Sequence, residues 1–65
     1  MLDQQRVLHM DINILVSIVN MQIRNEFASF TELCKFYELN QKQLSQRLNQ
    51  AGYQLQEPQQ QFVAA

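Results

Sequence analysis

The sequence has one cysteine, one glycine, one proline and no tryptophan among its 65 residues. With Cys34 alone, no intrachain disulfide can form, and nothing points to an oxidising compartment. A single glycine, Gly52, leaves no glycine-rich loop to cradle phosphate. The single histidine, His9, has no ligand-type neighbour at metal-binding spacing. Long apolar runs are missing too. The stretch INILVSIV is interrupted by Asn13 and Ser17 and preceded by Asp3, Arg6 and Asp11. It falls far short of the roughly 20 apolar residues that a membrane span takes. No secretory signal is visible, so a cytoplasmic location is expected. The carboxylates are scattered singly, and Cys34 lies on an apolar helix face as a small core residue rather than a nucleophile. The expectation is a protein without catalytic residues, metal or cofactor.

What is present suits a folded domain. Hydrophobic residues make up 46% of the chain and the formal net charge is −1. The charges are uneven: five acids and three bases up to Leu39, then Glu57 alone against Lys42 and Arg47. The second segment is weakly positive but is not the dense basic patch of a strong nucleic-acid binder. Twelve glutamines are dispersed along patterned segments, which reads as uncharged polar surface rather than low complexity. A chain this short is one domain at most and buries a smaller share of its surface than larger domains do. Lacking disulfide and metal, it has self-association as the remaining common source of added stability.

Residues 1–10 show no sustained period and read as an N-terminal tail, partly ordered by Leu2, Val7 and Leu8. Met10 stands just ahead of the well-patterned sequence, as an alternative start. Residues 11–65 read as the domain. Asp11 can cap a helix running to about Phe27, with Ile12, Leu15, Val16, Val19 and Ile23 on one face. A strand is the rival, because Ile12, Ile14, Val16 and Ile18 alternate; Leu15 and Val19 break that alternation. Ser29 and Glu32 form a capping box before Phe30, Leu33, Cys34 and Tyr37. Asn40 and Gln43 suggest a third helix bearing Leu44, Leu48 and Ala51, with Gly52 as its left-handed stop. The period then changes: YQLQ, a turn carrying Pro58, and QFVA read as a hairpin. The expected fold is mainly α, a three-helix, helix-turn-helix-like bundle with a C-terminal β-hairpin, winged-helix-like in outline.

Two surfaces follow. On the first helix Ile14, Ile18 and Met21 fall roughly opposite the core face, separated from it by Asn13, Ser17, Asn20 and Arg24. Either the hairpin (Tyr53, Leu55, Phe62 and Val63) or the tail covers this second apolar face, or it is a homodimer or protein-partner contact. The polar stripe could bind a partner, but the favoured expectation is that Arg24 pairs with Glu32 or Glu38 within the monomer. In the helix-turn-helix, Cys34 suits the crossing point, and Leu33, Tyr37, Leu39, Leu44 and Leu48 supply the anchors. Glu38 stands at the turn where glycine is common. The third helix offers Lys42, Gln43, Gln46 and Arg47, residue types that contact bases and phosphates, as an alternative DNA-reading surface. Two cations are few for phosphate neutralisation.

The residues ILVSIVNMQIRNEF, then LC, then the L…L…GY spacing and a closing QF resemble a family of small bacterial proteins, the domain-of-unknown-function family four-two-five-zero. The likeness covers about residues 10–62. It rests most on Ser17, Val19, Asn20, Met21, Arg24, Leu33, Cys34, Gly52, Tyr53 and Phe62. The segment NQKQLSQRLNQ carries fewer acids than the family pattern. The resemblance implies a small, mostly helical cytoplasmic protein and brings no activity, ligand or site residue with it.

Overall fold

The computed structural model describes residues 2–65. Among them the chain forms α1 (Gln4–His9), α2 (Ile12–Glu26), α3 (Phe30–Phe36), α4 (Gln41–Gln50), β1 (Tyr53–Gln56) and β2 (Gln61–Ala64). Each helix starts at a side chain that accepts from its first turn's free amides, which have no partner within the helix. Asp3 accepts from the Arg6 N–H, and Asp11 from those of Asn13 and Ile14. Ser29 accepts from the Glu32 N–H and Asn40 from that of Gln43. The caps at Asp11, Ser29 and Asn40 are those expected. Gly52, at φ 94°, turns the chain out of α4. Ala51 is the exposed C-cap of α4 rather than an apolar anchor.

The two strands pair antiparallel, with Tyr53 opposite Ala64 and Leu55 opposite Phe62. Their bounds coincide with the YQLQ and QFVA segments, and residues 57–60 connect them around Pro58. One core joins all the layers: Val7, Leu15, Val19, Phe30, Leu33, Leu44 and Leu48 are fully buried, with Phe62 closing it from β2. Cys34 lies in this core, where burial pushes its thiol up to about 11, so it stays protonated and unreactive.

The expected three-helix bundle is corrected to four helices, because part of the expected tail is ordered. Leu2 and Val7 are both buried in the core, and Asp3 caps α1. A six-residue helix is too short to display a 3.6-residue period, and too short to form without a surface to pack on. Its signal was therefore tertiary.

The turn between α3 and α4 explains Glu38. Its φ is 56°, in the left-handed region. The Leu39 N–H donates to the Cys34 carbonyl at 2.8 Å and the Glu38 N–H to that of Lys35 at 3.3 Å. This pair of bonds is the one that glycine usually serves at a helix end. Glu38→Gly is expected to raise stability by about 0.5–1 kcal/mol: relief of the left-handed strain outweighs the added freedom of the unfolded chain. Gln60, also left-handed at φ 54°, is the contrasting case. Its side-chain oxygen accepts from the Phe30 N–H at 3.0 Å, and its Nε2 donates to the Glu57 carbonyl at 2.9 Å. Gln60→Gly is expected to destabilise, because both bonds go. Urea unfolding of the two variants side by side checks the pair.

Candidate functional site

Two faces carry the expected site residues. On α2, Ile14 is 54% and Met21 50% exposed, while Ile18 is half-buried and packs against the core. The hairpin does not cover this face, contrary to one of the two expected arrangements. It lies instead over the polar stripe. Asn20 donates its Nδ2 to the Phe62 carbonyl at 2.9 Å and accepts the Phe62 N–H at 2.7 Å. Gln61 Nε2 reaches the Asn20 carbonyl at 3.2 Å, and the Tyr53 hydroxyl donates to Asn13 at 3.3 Å. Asn20 thus acts as a third strand for one residue, pairing both outward backbone groups of Phe62. The stripe is a seat for the hairpin, and the edge of β2 is blocked at Phe62 against another chain.

Beyond that seat, Ser17, Asn20, Met21, Arg24, Asn25 and Gln61 line an open cleft of about 420 Å³. Among the described residues, Arg24 pairs with neither Glu32 nor Glu38; the ion pair is Arg6 with Asp3 at 3.8 Å, exposed and of little weight. At the C-terminal end of α2, the rings of Phe27, Phe36 and Tyr37 meet at centroid distances of 5.0–5.9 Å. Phe36 is 68% exposed, the most open large apolar side chain of the described residues. Sequence reading missed it. Its partners, Phe27 on the cap of α2 and Tyr37 on the cap of α3, are brought together only when the helices pack. Tyr37 is held there by its hydroxyl, which donates to the buried Gln22 at 3.1 Å.

The second face is α4. Lys42, Gln43 and Gln46 are exposed. Gln43 and Arg47 are engaged with α1. Gln4 Nε2 donates to Gln43 Oε1 at 2.6 Å, and Gln4 Oε1 accepts the Asn40 N–H at 2.9 Å. Arg47 Nε donates to the Leu8 carbonyl at 3.1 Å and Nη2 to that of Met10 at 2.7 Å. The guanidinium thus satisfies carbonyls at the C-terminal end of α1, where a cation is electrostatically favoured. Arg47 Nη1 is buried with no hydrogen-bond partner. Gln41, itself exposed, donates to the Thr31 hydroxyl at 3.1 Å. The polar row that looks free in the sequence is half used in holding α1 and α3.

Among the described residues no group of three or more His, Cys, Asp and Glu could hold a metal, and no helix is long and apolar enough to cross a membrane. No curated protein and no solved structure matches the chain. The model of one family, described as a domain of unknown function (DUF4250), matches residues 9–62. The match takes in α2, α3, α4, the hairpin and the surfaces they carry, and the chain belongs to that family.

Proposed function

We propose that the protein is a small, non-enzymatic, cytoplasmic interaction module that binds a copy of itself, or an unidentified protein partner, through the outer face of α2. The frame is a helix-turn-helix-like arrangement of α2, α3 and α4 with the hairpin as its wing. The observation that carries the reading is the exposure of Ile14 and Met21 on a face that neither the hairpin nor α1 covers. A two-fold contact places both residues of each copy against the same pair in its partner, with Ile18 beneath them. Burying the exposed half of such a side chain is worth about 1 kcal/mol, and a symmetric contact counts it twice for each residue.

The rival reading, a DNA-binding regulator of winged-helix type using Lys42, Gln43, Gln46 and Arg47, has less support. Two of its four residues are committed to α1, leaving Lys42 as the other cation of α4. Sedimentation separates the two. Met21→Glu is expected to weaken self-association at least tenfold while leaving the melting transition nearly unchanged, because the side chain is half exposed in the monomer. Lys42→Ala is expected to leave self-association as it is. A wild-type chain that sediments as a monomer at every concentration overturns the homodimer.

A further inference from the structure

The open cleft on the outer surface of α2 holds polar groups that the fold leaves unused. Ser17, Met21 and Arg24 recur at three- and four-residue spacing, so they form a row along the helix, with Asn25 beside its end. Gln61 lines the same cleft from β2. The Asn20 side chain between them is fully engaged with Phe62. Arg24 and Asn25 are exposed, and among the described residues neither side chain has a hydrogen bond or an ion pair. A cation in the last turn of a helix is favoured by the free carbonyls there, which accounts for the charge of Arg24. It does not account for a guanidinium and a primary amide that both stand as free donors on one cleft. Arg24 is also the charged residue among those lining it.

The remaining free groups are acceptors. The Ser17 hydroxyl gives its proton to the Asn13 carbonyl at 2.9 Å. Gln61 gives its Nε2 protons to the carbonyls of Asn20 and Gln60, at 3.2 and 3.1 Å. Ser17 Oγ and Gln61 Oε1 are left to accept. Met21, half exposed, lies between Ser17 and Arg24 and offers an apolar contact. Donors for an anion, an apolar contact and acceptors for N–H groups match the end of a peptide chain. There an α-carboxylate, a terminal side chain and the preceding N–H groups follow one another. From Ser17 to Arg24 the helix rises about 10 Å, the length of roughly three residues of extended chain. We propose that this cleft receives the extended C-terminal end of a partner chain. Its carboxylate bonds to Arg24 and Asn25, its last side chain packs on Met21, and its N–H groups donate to Gln61 Oε1 and Ser17 Oγ. An acidic side chain branches away from its backbone and does not continue the line of N–H groups. Amide-to-backbone recognition is already at work beside the cleft, where Asn20 holds the extended backbone of Phe62. The proposal rests on the outer face of α2 being the binding surface and adds what the protein partner presents to it.

Nuclear magnetic resonance titration of the isotope-labelled full chain tests it, with acetylated alanyl-alanyl-leucine bearing a free carboxylate as the probe. Saturable shifts are expected at the Arg24 Nε–H, the Asn25 side-chain amide and the Gln61 side-chain amide. The same peptide ending in a carboxamide is expected to bind about tenfold more weakly or worse, since a charge-assisted pair is lost. Arg24→Gln, at an exposed position, should remove the difference between the two peptides. The comparison of acid with carboxamide on the wild-type chain stands even if that variant fails to fold. Equal binding of the two peptides, or no shift at millimolar concentration, overturns the proposal. So does acetate binding as tightly as the acid peptide, which marks a site for any anion. A carboxamide-ended peptide with a glutamyl side chain that binds as well as the acid overturns it in favour of an acidic side chain. Failure here, with self-association still lost in Met21→Glu, leaves the α2 face standing as the binding surface. Failure here in a chain that sediments as a monomer at every concentration removes both.

Discussion

Asn20→Ala is expected to cost the domain about 2–4 kcal/mol, because it strips both outward backbone groups of Phe62 of their partners at once. A part-buried N–H and carbonyl left unpaired are penalised by about 1–3 kcal/mol each. Water can reach the rim of this site, which keeps the sum below the maximum. A chain of this length holds about 3–10 kcal/mol in all, so the loss is a large part of the total. The neighbouring bond between Asn13 and the Tyr53 hydroxyl is longer, 3.3 Å, and exposed. Asn13→Ala is accordingly expected to cost no more than about 0.5 kcal/mol. Asn20→Asp separates the two contributions. It keeps an acceptor for the Phe62 N–H but removes the donor and sets a carboxylate against the Phe62 carbonyl. Its stability should fall at least as far as that of the alanine variant. Urea unfolding followed by far-ultraviolet circular dichroism reads all three. If Asn20→Ala unfolds within about 0.5 kcal/mol of the wild type, the clasp on β2 is not a structural element.

Phe62→Ala is expected to be more damaging still, at about 3–5 kcal/mol. The ring is buried and meets Phe30 edge-on, with centroids 4.9 Å apart and planes at 82°. Removing it opens a cavity where the hairpin meets α3, and a small domain has little further packing with which to fill it. The edge-on pairing adds about 0.5–1.5 kcal/mol beyond the buried area. A double-mutant cycle of Phe30→Leu with Phe62→Leu should recover a coupling of that size. At ordinary temperature Phe62→Ala should be largely unfolded, with loss of helical circular dichroism although the substitution lies in a strand. Full helicity and a cooperative transition near the wild-type midpoint would show that α1, α2, α3 and α4 do not depend on the hairpin.

Both predictions concern pairings that local sequence patterns do not announce. Phe62 was legible as an apolar residue of a second strand, and Asn20 as part of a polar stripe on the first long helix. Their partnership spans 42 residues. The same holds on α4. Arg47 had the residue type and exposed-face position of a nucleic-acid contact, yet its guanidinium reaches back 37 residues to the Met10 carbonyl. The exposed aromatic cluster around Phe36 was invisible for a related reason. Phe27 and Phe36 sit at helix ends, outside the periodic positions that mark a buried face, and Tyr37, which is periodic, reads as an anchor of α3 rather than as part of an exposed cluster.

By itself the sequence determined the three longer helices, their caps at Asp11, Ser29 and Asn40, the left-handed stop at Gly52 and the bounds of both strands. It also placed Ile14 and Met21 away from the core face. These features are set by interactions within a helical turn or by the spacing of apolar side chains, which a linear pattern records in full. Only the tertiary structure decided that residues 4–9 form a helix, that the polar stripe of α2 clasps β2, and that α1 engages Gln43 and Arg47 of the polar row of α4. In each case a polar group acquires its partner from a distant element. A side chain that solvates well in water gives no local sign of the backbone it will meet once the chain has folded.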